Sequence, residues 1–170
     1  MNGETREQHK CSLAAEVLQS SGALQLRVKG TSMLPTLWPG DLLTILSSRF
    51  DQVEPGDVVL YQHEGRFFVV HRVVSKPSAT IKDEDRFLIT RGDCVQEVDP
   101  SVRPVQLLGK VTRIERDGLL FAPRKLSLLR LILARTLCYS NLFQRVVLRL
   151  NACRNHSGSH FATEFVRVVS

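Results

Sequence analysis

The residues best suited to chemistry lie in two short segments, 30–41 and 67–74. Gly30-Thr31-Ser32-Met33-Leu34-Pro35-Thr36-Leu37-Trp38-Pro39-Gly40-Asp41 sets a serine in a loop bracketed by glycine and proline, and such loops on a rigid scaffold tend to carry function. Two readings of Ser32 stand open: a reactive hydroxyl, or the N-cap of a helix that begins ahead of Pro35. The Gly-x-Ser-x-Gly elbow of an α/β-hydrolase is not in this segment. In the second segment Phe67, Val69, His71 and Val73 fall on one face of a strand. His71 therefore projects among apolar side chains, where a neutral imidazole serves as a proton acceptor. Cys153-x-x-His156-x-x-x-His160 offers metal-ligating residue types, but no fourth ligand lies close by and its Ser/Gly/His-rich setting reads as a tail. No metal or cofactor is expected. Cys11, Cys94, Cys138 and Cys153 are too scattered for a disulfide framework and read as free thiols in a reducing compartment.

These groups need elements to position them. Leu13, Ala14, Val17 and Leu18 recur at helical spacing and predict one short helix within 11–18, stopped by Ser20-Ser21-Gly22. From Leu24 the period drops to two, and strands are expected at 24–28, 42–46, 58–61, 67–74, 87–90 and 107–114. Pro39-Gly40-Asp41, Pro55-Gly56-Asp57 and Gly92-Asp93 punctuate them as tight turns. His63-Glu64-Gly65-Arg66 would close a hairpin between the third and fourth strands. The expected architecture is mainly β: a helical lead (1–23), a β domain (24–118), a basic helical arm (119–154) and a tail (155–170).

Of 170 residues, 23 are Lys or Arg and 17 Asp or Glu, a formal charge of +6. Seven of the cations (Arg124, Lys125, Arg130, Arg135, Arg145, Arg149, Arg154) lie in 119–154 with no acidic residue, so the remainder carries −1 (16 against 17). Leu126–Leu150 contains no Gly or Pro, and its four arginines (Arg130, Arg135, Arg145, Arg149) together with Arg124 fall in an arc of about 140° at helical spacing. A basic face opposite an apolar one suits a membrane-surface contact through 124–150, or a helix packed on the β domain with its charges in water. Nucleic acid is the less favoured partner. The polar start of the chain and the lack of a sustained apolar run give no signal-peptide core and no span, so the expected location is cytoplasmic or peripheral on the cytoplasmic membrane.

Ser32-Met33-x-Pro35-Thr36, Gly40-Asp41, Gly56-Asp57-Val58-Val59, Val70-His71-Arg72-Val73-Val74 and Thr90-Arg91-Gly92-Asp93, with Asp99 beyond, follow one another in an informative order. Residues 26–115 resemble the signal peptidase I family, whose superfamily includes the self-cleaving LexA-type repressors. The resemblance implies a LexA/signal-peptidase-like β-barrel or folded sheet, with Ser32 at the nucleophile position. At 71 the usual bacterial and mitochondrial enzymes and the LexA-type proteases carry a lysine. The archaeal and endoplasmic-reticulum branch carries a histidine, which this chain resembles. Asp93 and Asp99 each match an acidic position of the last box, and one of them would orient the imidazole.

The chemistry agrees with those roles. A serine hydroxyl needs a proton acceptor within hydrogen-bond reach, and the acceptor ring needs a fixed tautomer. The Ser32 N–H is the natural first oxyanion donor; the second is open between a neighbouring amide and the Thr31 hydroxyl, because Gly30 replaces the serine that many bacterial relatives use. Thr31, Met33 and Pro35 are the expected oxyanion and cleft neighbours. The expectation is a serine endopeptidase of signal peptidase I type acting on an extended peptide or protein. A LexA-like self-cleaving regulator and an inactive peptide-binding relative are the alternatives. Cys94 stands where the family commonly has Asn, and a membrane-anchored partner would supply the span that exporting relatives carry.

Overall fold

The structure is a computed structural model and describes residues 2–63, 67–77 and 86–123. Residues 64–66, 78–85 and 124–170 lie outside the described residues, and on them fall the expected hairpin turn, most of the arm expected at 119–154, and Cys138, Cys153, His156 and His160. Among the described residues one α-helix, α1 (Asn2–Ser21), precedes seven strands: β1 (Ala23–Arg27), β2 (Leu42–Ser47), β3 (Val58–His63), β4 (Phe67–Ser75), β5 (Ile89–Arg91), β6 (Leu107–Arg116) and β7 (Leu119–Phe121). All pairings are antiparallel, in the order β1-β2-β6-β3-β4-β5, with β7 added to β6. The expected mainly β fold is present as an open sheet whose ends are β1 and β5. Register shifts at Thr44/Ile45, Leu60/Tyr61 and Val73/Ser75 are bulges that bend the strands and raise their twist.

Two apolar clusters form, one on each side of the central hairpin. Val58, Leu60, Phe68 and Val70 join Leu26, Leu43, Ile45, Val111 and Ile114 beneath α1. Val59, Tyr61, Val69 and Val73 join Phe50, Val53, Leu88, Val102 and Leu107 on the other side. Burying each such side chain contributes about 1.5–3 kcal/mol. Because β3 and β4 are buried on both faces, they read as nearly continuous apolar runs, while the one-sided β1 alternates.

Pro39-Gly40 and Pro55-Gly56 occupy the corners of equivalent turns, with Gly40 at φ 99° and Gly56 at φ 97°. Each following aspartate closes its turn twice. The N–H of Asp41 donates to Trp38 O (3.0 Å) and that of Asp57 to Glu54 O (3.0 Å). Their carboxylates accept the N–H of Trp38 (2.8 Å) and of Glu54 (2.9 Å).

α1 departs from expectation in length and facing. It runs for twenty residues, because the polar lead is rich in Glu, Arg, Gln and Lys, good helix formers that carry no packing period. Cys11 and Leu18 are buried, with Ala14 and Ala15 partly so, whereas Leu13 (60%) and Val17 (47%) are exposed. The helix thus turns a narrower, small-residue stripe to the sheet. Beyond β6 a two-residue turn, Asp117-Gly118, continues the sheet into β7, all three of whose residues are exposed.

Candidate active site

The loop between β1 and β2 carries Ser32. Its base is sealed by Val28 N–H to Asp41 O (2.9 Å) and Gly40 N–H to Val28 O (2.8 Å), which prolong the β1–β2 pairing. Within it, Leu34 N–H donates to Thr31 O (3.1 Å) and Thr36 and Leu37 N–H to Met33 O (2.9 Å each), so the chain coils through consecutive turns. Met33 and Leu37 anchor these turns in the core beneath α1. Met33 therefore has its side chain in the core and does not open onto a cleft. Pro35 is half-buried, and its carbonyl accepts the Trp38 indole N–H at 2.9 Å. The turns at 32–36 do not continue into a regular helix, so the N-cap reading has no helix to serve.

The Ser32 hydroxyl instead lies 2.9 Å from His71 Nε2. His71 Nδ1 in turn lies 2.6 Å from Asp99 Oδ2. Ser32 and His71 are 6% and 5% exposed, so water screens neither contact. Burial raises the Asp99 carboxyl, but the hydrogen bond and charge of His71, then hydrogen bonds from Thr90 and Tyr61, outweigh it and hold the group below 3.8. An ionised carboxylate only accepts, so Nδ1 donates, and in the neutral ring Nε2 is left with the lone pair that faces the serine. The Tyr61 phenol is raised above 10.0, chiefly by burial and further by the Asp99 charge, and keeps the proton it donates.

Asp93 does not reach the imidazole. Its oxygens bind Arg72 Nε and Nη2 (2.8 Å each), and the Thr36 hydroxyl donates to Oδ2 at 2.5 Å. Of the two acidic positions in the last box, Asp99 is thus the one brought to His71. Asp93 instead belongs to a buried clamp. Arg72 Nη1 also donates to Gly56 O (2.7 Å) and Nη2 to Thr36 Oγ1 (3.2 Å). A second clamp holds the far end of the Ser32 loop, where Arg116 binds both oxygens of Asp41 (2.7 and 2.5 Å), donates to Thr36 O (3.2 Å) and lies over the Trp38 ring. Both aspartates have side chains only 1% exposed.

The turn at 92–95 braces Ser32 from behind. Cys94 N–H donates to Ser32 O at 2.7 Å, and a Cβ on residue 92 would stand 2.7 Å from that oxygen and 3.0 Å from Ser32 Cβ. Glycine is required there for close approach. Thr31 is half-buried, and among the described residues none accepts from the Ser32 N–H. That leaves a donor beside the hydroxyl for a developing oxyanion, with the Thr31 hydroxyl a neighbour. Sequence reading gave no role to Tyr61, Thr90, Thr36 or Arg116, although Thr36 and Thr90 stand in the ordered boxes. Tyr61 and Thr90 had a usable signal, since hydroxyls inside apolar strands need partners. Among the described residues, no three His, Cys, Asp or Glu side chains gather as metal ligands, and no helix is long and apolar enough to cross a membrane.

A buried serine and imidazole with a half-buried carboxylate, in series and brought together by loops and a strand of an antiparallel sheet, define the site geometry of a serine-type acyl-transfer protein. The Peptidase S24-like family matches residues 2–94, more than half of the chain, and the chain belongs to that family, whose class is serine-type peptidase. The match takes in α1, Ser32, His71 and Asp93 and ends before Asp99. No curated protein matches the chain.

Proposed function

We propose that this chain is a serine endopeptidase of signal peptidase I type, cutting an extended peptide or protein segment with Ser32 as nucleophile, His71 as general base and Asp99 as the group that orients the ring. The observation that carries the reading is the unbroken relay from Ser32 Oγ through His71 to Asp99, 2.9 and 2.6 Å. In the first step His71 Nε2 takes the hydroxyl proton as Oγ bonds to the scissile carbonyl carbon, and the resulting oxyanion meets the Ser32 N–H. The imidazolium then returns the proton to the leaving amine as the C–N bond breaks. Water, deprotonated by the same ring, releases the acyl group. The ordered boxes around Ser32, His71 and Asp93 support the signal peptidase form, as does a histidine in place of the lysine base.

A fluorophosphonate probe tests the reaction. The wild type should be labelled at Ser32, while Ser32→Ala and His71→Ala, both folded, should not. Labelling of either variant at the wild-type rate would remove the mechanism. A second reading, a self-cleaving regulator, is favoured by the match to the Peptidase S24-like family. It predicts that the purified chain divides into two fragments at a rate independent of its concentration, and that Ser32→Ala stays whole. A chain that stays intact while it cuts peptides with small residues on the amino side of the bond favours the first.

A further inference from the structure

Asp99 lies on neither strand nor helix, yet its carboxylate must be held against the imidazole. Thr90 provides the attachment. It sits on β5 opposite Val73 of β4, the residue two beyond His71 on the same strand face, and is 0% exposed. Its carbonyl accepts the Asp99 N–H at 2.8 Å, and its hydroxyl donates to Asp99 Oδ2 at 2.7 Å. Oδ2 is also the oxygen that accepts from His71 Nδ1. One residue therefore grips Asp99 by main chain and side chain, and does so from a strand in fixed register with the one that bears His71. Tyr61, on β3 and 2% exposed, gives the carboxylate its third side-chain donor. The neighbouring charges face elsewhere, with Arg72 and Asp93 bound to each other. Valine would fill the Thr90 position with equal volume and no polar atom to desolvate, so the hydroxyl needs a purpose.

We propose that Thr90 is the positioning residue of this site: its hydroxyl fixes the Asp99 oxygen that orients His71. The consequence for catalysis rests on the serine-peptidase reading; the geometric consequence does not. Thr90→Val and Thr90→Ser separate the hydroxyl from the fold. Two measurements are made on the full chain: the rate of fluorophosphonate labelling at Ser32, and the downfield proton resonance of His71 Nδ1–H, assigned by its loss in His71→Ala. Thr90→Val should lower the labelling rate about tenfold, the factor set by one hydrogen bond to a charged group, and should shift or broaden the resonance. Thr90→Ser should keep the resonance and label within about threefold of wild type. If the valine variant does not fold, Thr90→Ala makes the same comparison. A valine or alanine variant that keeps both signals overturns the proposal, as does a serine variant that loses them as fully. A wild type that is not labelled at all counts against the peptidase reading alone, because the resonance reports the His71–Asp99 contact without any reaction at Ser32.

Discussion

Gly92→Ala probes how closely the Ser32 loop is held. The added Cβ would meet the Ser32 carbonyl oxygen at 2.7 Å and Ser32 Cβ at 3.0 Å. Real Cβ atoms keep at least 3.0 Å from such neighbours and ordinarily 3.4 Å, so Ser32 must retreat by about 0.3–0.7 Å. The oxygen cannot yield freely, because Cys94 N–H holds it at 2.7 Å and Met33, the next residue, is locked in the core. The shift therefore passes to Oγ and spoils a 2.9 Å contact with His71 Nε2. A misplacement on the ångström scale costs about 10²-fold in rate, so this smaller one should cost about 10–100-fold. Overpacking should lower stability by about 1–3 kcal/mol. The backbone at 92 is not in the left-handed region, so the cost reports contact and not strain. Labelling kinetics with the fluorophosphonate, the adduct located by mass spectrometry, and urea midpoints measure the two effects. Labelling of Gly92→Ala within twofold of wild type would refute the reasoning.

Asp99→Asn and Asp93→Asn should separate chemistry from stability. The Asp99 amide must turn an N–H₂ toward at least one of three donors, which costs about 1–3 kcal/mol, and by disturbing the ring tautomer should lower the labelling rate about 10³–10⁴-fold. Asp93→Asn leaves the buried Arg72 cation short of its partner and should cost about 3–5 kcal/mol of stability, with the smaller loss of rate per folded molecule. The reverse ranking of rates would be incompatible with the assignments. Asp99 also predicts a pH dependence. Its carboxyl is lowered in the folded state, so its contribution is complete above about pH 3.8 and is lost as pH falls through the lower folded value. Tyr61→Phe removes one cause of that lowering. The stability gap between wild type and this variant should be constant above about pH 4 and narrow below it; a gap unchanged down to pH 2.5 in urea titrations would count against the Tyr61–Asp99 contact.

What was legible in the sequence was what depends on period and local turn chemistry. Alternation placed β1, and paired glycine-proline turns bounded the runs that became β2 and β3. The face shared by Val69, His71 and Val73 was also readable, since side chains two apart on a strand must share a side. The length of α1 was not, because its polar lead has propensity without period. Nor was β5, expected at 87–90 and found at Ile89–Arg91. Leu88 instead makes an isolated bridge to Val102, a pairing across the site loop that no local pattern announces. Tyr61 and Thr90 carried only the general signal that a hydroxyl in an apolar strand needs a partner; an aromatic or β-branched residue suits a strand in any case, so nothing local pointed to Asp99 as that partner.

The choice between Asp93 and Asp99 shows where such reading stops. His71 and Arg72 are adjacent on β4, so they leave the strand on opposite sides. Arg72 goes with Phe68 and Val70, the side on which Met33 and Leu37 seat the Ser32 loop, and there it takes Asp93 and Thr36. His71 goes with Val69 and Val73, the side of Tyr61, and there it takes Asp99. One dipeptide thus sends a cation to one acid and an imidazole to the other, and each requires its own side. Drawing Asp93 away to His71 would take from buried Arg72 the carboxylate that neutralises it. The period-two geometry of β4 therefore demands two acids on a single loop with its turn between them. Which acid meets which base follows only from the path that loop takes past Thr90, a tertiary fact set by the β4–β5 register.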